Sequence, residues 1–148
     1  MVNDESRIIR IKRLHPDAQV PKYAHLGDIG DLGADLFSVE TIDLPIGATV
    51  SIPTGIAVEL PRGFGAVIQD RSGLATKGLT TLAGVVDPGF RGEIKVIMTN
   101  LSQERVTLTK GERIAQLRLV RLFQASFEEV DQLSSSERRD RGFGSTGK

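Results

Sequence analysis

The 148-residue sequence contains no cysteine. A disulfide framework and a thiolate zinc site are therefore both excluded, and the redox compartment is left open. Histidine is scarce as well: His15 and His25 are too few and too far apart to suggest a metal centre, and read as surface or structural residues. Net charge is also lacking, with 19 basic against 19 acidic side chains. That balance removes any overall electrostatic case for DNA, RNA or an acidic membrane as a bulk partner, so basic residues matter only where they cluster. No run approaches the roughly 20 apolar residues that a membrane span needs, and no apolar stretch follows a basic N-terminal start. The expectation is a soluble cytoplasmic protein with neither nucleic acid nor membrane as partner.

What the sequence does contain is one short strand pattern after another. Ile8 to Leu14 alternates, and so does Arg113 to Phe123, where Ile114, Gln116, Arg118, Val120 and Leu122 oppose Ala115, Leu117, Leu119, Arg121 and Phe123. Thr49 to Ile52, Gly55 to Leu60, Gly65 to Gln69, Glu93 to Thr99 and Arg105 to Thr109 are further short runs. Turn signals separate them, including Leu44-Pro45-Ile46-Gly47, Pro53-Thr54-Gly55 and Pro61-Arg62-Gly63. Only Ser72 to Lys77 looks helical. Many short strands at this spacing predict an all-β sandwich or barrel, and the length predicts one domain. From Leu133 onward the apolar pattern gives way to Ser, Arg and Gly. We therefore read 1–133 as the β domain and 134–148 as an arm hinged near Ser134-Ser135-Ser136.

The arm overlaps two phosphate-binding patterns. Gly142-x-Gly144-x-x-Gly147 fits the dinucleotide fingerprint, and Gly142 to Lys148 fits the body of a Walker A motif. Both patterns need a strand before the glycines and a helix after them, and no residues follow Lys148 in this sequence to build that helix. The expectation is a Gly-rich lid whose guanidinium groups, hydroxyls and single ring fold over an anionic, ring-bearing ligand. A plain polar tail is the alternative.

A second segment, Gly84-Val85-Val86-Asp87-Pro88-Gly89-Phe90-Arg91-Gly92-Glu93, sets a carboxylate after an apolar pair and an aromatic ring three residues later. Pro88-Gly89 is a type II turn signal, so the segment reads as a tight hairpin with Asp87 at its shoulder. Its backbone groups can pair with the edge of a base. An ordinary surface hairpin would use the same residues.

With Gly33-Ala34-Asp35-Leu36-Phe37-Ser38, Arg71-Ser72-Gly73-Leu74-Ala75 and Gly111-Glu112-Arg113-Ile114-Ala115-Gln116-Leu117, these segments form an ordered series. The series resembles the five motifs of the trimeric dUTPase family, deoxyuridine triphosphate nucleotidohydrolases, over about residues 30–148. The resemblance implies a distorted jelly roll of the β-clip kind and a homotrimer with a swapped C-terminal arm. It also implies Mg²⁺-assisted hydrolysis of dUTP to dUMP and pyrophosphate. Asp87 is then the general base that activates water. Ser72, within Arg71-Ser72-Gly73, contacts the α–β bridging region where charge grows as pyrophosphate departs. Gln116 serves the α phosphate and metal-bound waters, and Asp35 supports the metal through water. A buried Asp35 could instead, or also, pair with an Arg. Lys95 is a further substrate contact or a solvated strand lysine.

Specificity follows from the same resemblance. Gly84, Val85 and Val86 pair with the uracil edge, and Phe90 packs on the sugar where a 2′-hydroxyl would have to fit. Phe143 stacks on the base, flanked by Gly144 and Ser145, and Arg138 meets the γ phosphate. The sequence departs from the family pattern in three places. Phe90 stands where Tyr is usual, Arg139 and Arg141 replace tail glycines, and Thr81 or Leu82 occupies the region of a common Asn. The other readings are a dCTP deaminase, which has a similar Asp-Pro-Gly-aromatic turn, and a non-catalytic nucleotide sensor.

Overall fold

Ile94, Val96 and Met98 are each at most 1% exposed and alternate with the more accessible Glu93, Lys95 and Ile97. This period-two pattern makes Glu93–Asn100 the central strand of the molecule. The computed structural model of the chain describes residues 8–136. They form β1 (Arg10–Arg13), β2 (Ala34–Phe37), β3 (Ile42–Leu44), β4 (Thr49–Glu59), β5 (Phe64–Gln69), α1 (Ser72–Ala75), β6 (Leu79–Leu82), β7 (Val85–Val86), β8 (Glu93–Asn100), β9 (Val106–Leu108) and β10 (Arg113–Arg121). One four-stranded sheet has the order β1-β4-β8-β6 and a second the order β2-β10-β5-β7, while β3 and β9 form a small pair. All pairings between these strands are antiparallel. The fold is an all-β jelly roll. Among the described residues no helix is long and apolar enough to cross a membrane.

Residues from both large sheets meet in one core, with Ile52, Ile56, Val58, Ile94, Val96 and Met98 from the first and Leu36, Ala66, Ile68, Ile114 and Leu117 from the second. Each fully buried branched side chain contributes about 1.5–3 kcal/mol over its exposed state. The polar side chain of Asn100 is wholly buried at the end of β8, and its amide is satisfied on both sides. Its Nδ2 donates to the carbonyls of Leu44 and Glu104, and its Oδ1 accepts from the N–H and hydroxyl of Ser102.

Two expected turns are present: Ala48 N–H bonds Pro45 O at 3.1 Å, and Phe64 N–H bonds Pro61 O at 3.1 Å. The third is not a turn. Pro53-Thr54-Gly55 lies inside the continuous strand β4, where the register against β8 shifts between Pro53 and Ala57. The chain bulges instead of reversing, because the polar groups freed by the irregularity find partners across the sheet. The Thr54 hydroxyl donates to Ile94 O, and Gly55 N–H donates to Glu93 Oε1 at 2.9 Å. Gly55 itself has φ +69°, and a Cβ there would lie 2.8 Å from both His15 Cβ and Val39 Cγ1.

The expected hairpin from Gly84 to Glu93 is also corrected. β7 pairs with β5 in the second sheet, whereas β8 pairs with β4 and β6 in the first, so the connection crosses between sheets. A β-turn does close at Pro88-Gly89, with Phe90 N–H bonded to Asp87 O at 3.0 Å. It is not type II, since Gly89 is absent from the glycines with positive φ. The left-handed backbone falls earlier, on Ala83 (φ 57°) and Gly84 (φ 99°), where the chain leaves the first sheet for β7. The helix expected over Ser72 to Lys77 is shorter, α1 giving way after Ala75 to a turn that ends at Gly78 (φ 81°). After β10, residues 122–136 form no strand or helix and all are exposed.

Candidate active site

Asp35 lies on β2 between Ala34 and Leu36 and is only 8% exposed. An isolated carboxylate there would be costly, and two guanidinium groups offset the cost. Arg71 Nε donates to Oδ1 at 2.8 Å, and Arg113 Nη1 reaches Oδ2 at 3.4 Å. Arg71 Nη1 also approaches Arg113 O at 3.4 Å. The salt bridge considered for Asp35 from the sequence is therefore formed, and Arg113 is a second partner that sequence reasoning missed. Gln116 of β10 is in register with Asp35 on one side and Gln69 on the other, so these three side chains share one face of the sheet. Gly33 leaves room for that amide: a Cβ on it would fall 2.6 Å from Gln116 Oε1.

Ser72 begins α1 and is exposed, and no side chain caps the helix start at Arg71. The N–H groups of Leu74 and Ala75 bond Arg71 O, leaving the N–H groups at Ser72 and Gly73 outside that turn. On the other side of Arg71, Asp70 is tied to β6. Its Oδ1 accepts from the Thr81 N–H and hydroxyl at 2.6 Å each, and its Oδ2 from the Thr80 hydroxyl at 2.8 Å. Burial works to raise the Asp70 pKa, but the bonds from Thr81 and Thr80 together outweigh it and hold the carboxyl below its ordinary value. The Asp beside Arg71 and the paired threonines were the available sequence signals for this tie.

A second group of residues lines a cleft of about 260 Å³ that includes Ile68, Gly84, Val85, Val86, Asp87, Phe90, Glu93 and Lys95. This is smaller than the ~300–1,000 Å³ typical of small-molecule sites, room for part of a ligand. β7 is the edge strand of its sheet, so one row of its backbone groups has no strand partner among the described residues. Gly84 is held close to β5, where Ile68 N–H bonds Gly84 O at 2.7 Å, and a Cβ on Gly84 would come within 2.6 Å of Ile68 O. Asp87 is exposed and opens the turn. Arg91 braces that turn, its Nη1 donating to Pro88 O at 2.8 Å and Phe90 O at 3.0 Å. The Phe90 ring lies over Gly92, where a Cβ would meet Cζ at 2.7 Å. Glu93, another residue missed in the sequence, carries Gly55 N–H on one oxygen and lies 3.8 Å from Lys95 Nζ with the other.

The structure thus brings Gly84, Val85, Val86, Asp87, Phe90 and Lys95 into one cleft, and Asp35, Arg71 and Gln116 together with the neighbouring Ser72 and Gly73 into another group. None of the second group lines the cleft. Arg138, Phe143, Gly144 and Ser145 lie outside the described residues. Among the described residues no group of three His, Cys, Asp or Glu side chains is placed to hold a metal ion.

The jelly roll thus carries a small cleft and, apart from it, an exposed serine beside an arginine that is paired with a buried carboxylate. The dUTPase family model matches residues 19–147, and the chain belongs to that family. A deoxyuridine 5'-triphosphate nucleotidohydrolase of Thermobifida fusca is 50% identical over 143 residues, covering 94% of this chain and 78% of the relative. That of Clostridioides difficile is 42% identical over 142 residues, covering 94% and 97%. Among solved structures, a point mutant of the Staphylococcus bacteriophage 80alpha dUTPase with dUpNHpp superposes with a TM-score of 0.81 at 28% identity, covering 95% of this chain and 99% of that one. A mutant dUTPase from phage phi11 of S. aureus, described as coordinating a structural Mg(II) ion, shares the fold with a TM-score of 0.76 at 22% identity, covering 86% and 99%.

Proposed function

We infer that the protein is a dUTP diphosphatase, hydrolysing dUTP to dUMP and pyrophosphate and so limiting uracil in DNA while supplying dUMP for thymidylate synthesis. The observation that carries this reading is the cleft, in which an edge-strand backbone, an aromatic ring and an exposed carboxylate converge in a member of the dUTPase family. The unpaired backbone row of β7 reads the uracil edge, and the Phe90 ring packs on the deoxyribose, where it leaves no space for a 2′-hydroxyl. Asp87 holds a water and takes its proton as the water attacks the α phosphorus. Ser72 and the N–H groups beside it receive the charge that builds on the departing pyrophosphate.

Asp35 and Gln116 suit magnesium only as outer partners. Both carboxylate oxygens of Asp35 face guanidinium groups, so what remains is oxygen acceptance from metal-bound water, in keeping with the way Mg²⁺ retains its waters beside phosphates. When bound, the ion neutralises phosphate charge and aligns the chain of phosphates. Arg71 keeps Asp35 in place, and Lys95 extends an ammonium group toward the same anion.

The separation of the two residue groups within one chain supports a homotrimer in which each pocket draws on more than one subunit. So does the apolar surface after β10: Phe123, Phe127 and Leu133 are 89%, 97% and 89% exposed, which a single chain leaves wet. In this reading the arm at 134–148 crosses to a neighbour, Phe143 stacks on the base with Gly144 and Ser145 beside it, and Arg138 binds the γ phosphate. Incubating the protein with dUTP or dCTP and Mg²⁺ tests the activity. Release of dUMP and pyrophosphate is expected, and formation of dUTP from dCTP would instead identify a deaminase.

A further inference from the structure

Asp70 stands between the end of β5 and the Arg71-Ser72-Gly73 element, and its carboxylate takes the place of a neighbouring strand at the outer edge of β6. Three donors from Thr80 and Thr81 converge on it, one of them a backbone N–H. On the far side, Arg71 is fixed to Asp35 on β2 and to the Arg113 carbonyl on β10. The two residues leading into Ser72 are therefore each anchored, Asp70 to the first large sheet and Arg71 to the second. β6 then continues through Ala83 and Gly84 into β7, the strand that lines the cleft. Among the described residues, Asp70 makes the only side-chain hydrogen bonds between the Ser72 segment and the strand leading to the base-facing backbone.

We propose that Asp70 is a positioning residue that holds Ser72 in its productive place by tying the phosphate element to β6. It touches neither substrate nor reacting atoms. This inference rests on the reading of the protein as a dUTP diphosphatase. Ser72 is exposed on a helix of only four residues, so its hydroxyl has little packing of its own to fix it. Losing one of two anchors lets it wander, and a displacement of about an ångström is enough to slow a positioned reaction by up to about a hundredfold. The base-facing cleft keeps its own walls, so ground-state binding stays.

The test compares Asp70→Ala, Asp70→Asn and the double variant Thr80→Val/Thr81→Val with the wild type, measuring kcat and KM for dUTP, dUMP affinity and thermal unfolding. The wild type must first release dUMP and pyrophosphate; failure there overturns the diphosphatase reading and this proposal with it. With an active wild type, Asp70→Ala is expected to lower kcat by about tenfold or more while KM and dUMP affinity stay within about threefold. Asp70→Asn, whose amide oxygen still accepts from Thr81, is expected to recover kcat to within about threefold of wild type. A folded Asp70→Ala with kcat within about twofold of wild type overturns the proposal, and so does an Asp70→Asn as impaired as the alanine variant. If Asp70→Ala does not fold, the double variant decides: reduced kcat at unchanged KM supports the tie, and unchanged kcat overturns it.

Discussion

Asp35 and Asp87 carry the same functional group in opposite surroundings, and the proposed mechanism gives them different work. Asp35 is nearly enclosed and faces two guanidinium groups, so it organises charge. Asp87 is exposed beside a turn, and among the described residues no ion pair engages it, which leaves its lone pairs available to a water. Replacing Asp87 by Asn keeps the shape and, in the proposed mechanism, removes the base. We expect kcat to fall by about 10²–10⁴ while a non-hydrolysable dUTP analogue binds within about threefold of wild type by calorimetry. Retention of more than about a tenth of the wild-type rate would falsify the assignment. A quieter requirement sits at Gly33, whose missing side chain leaves the space occupied by the Gln116 amide. Gly33→Ala is expected to push that amide aside and reduce kcat by about tenfold, with the loss matching that of Gln116→Ala and the two changes combining with little further effect. Additive losses in the double variant would show that Gly33 acts elsewhere.

At the scale of elements, the β4 bulge holds Glu93 of the cleft, and the Asp70 tie holds the segment that leads into Ser72. Gly55→Ala places a Cβ against His15 and Val39 on a backbone at positive φ, and is expected to lower stability by at least about 1–2 kcal/mol in chemical denaturation. The Asp70 tie has a pH signature. Because hydrogen bonding holds its folded pKa below the unfolded value of about 4, its contribution is present above that pH and is lost as pH falls through the folded value. The gap in Tm between wild type and Asp70→Asn should stay constant from neutrality down to about pH 5 and narrow below about pH 4. A gap that persists unchanged at lower pH would mean that the charge is not what the threonines stabilise. These elements also mark where sequence reading succeeds. β8 and β10 were legible because alternating apolar residues report a half-buried strand directly. β6, Leu-Thr-Thr-Leu, carries no alternation and was not anticipated, since its threonines serve a carboxylate from another segment. Pro53-Thr54-Gly55 and Pro88-Gly89 looked like reversals because local turn chemistry is the same in a bulge or a crossover. What distinguishes them is the sheet to which the next strand belongs, which is set by non-local pairing. Most residues of both groups are legible as motifs; the bracing contacts of Arg91, Glu93, Asp70 and Arg113 are not, because each acts on a partner distant in sequence or on backbone.

For the whole molecule, the two residue groups and the exposed apolar segment after β10 pose one question, how a complete pocket is assembled. The proposed homotrimer with shared pockets would answer it, and light scattering is expected to give the mass of three chains. Mixing an Asp87→Asn protein with one truncated before Arg138 should then regain activity that neither has alone, since defects on different subunits need not fall in the same pocket. Inactive mixed trimers would show that each chain completes its own site. The chemistry itself is tested most directly by following dUTP hydrolysis in water enriched in heavy oxygen, using mass spectrometry and phosphorus NMR on both products. An Asp87-held water attacking the α phosphorus predicts that the label enters dUMP and not pyrophosphate, and that the Asp87→Asn protein incorporates almost none in the same time. Label in pyrophosphate, or incorporation by Asp87→Asn at the wild-type rate, would contradict the account.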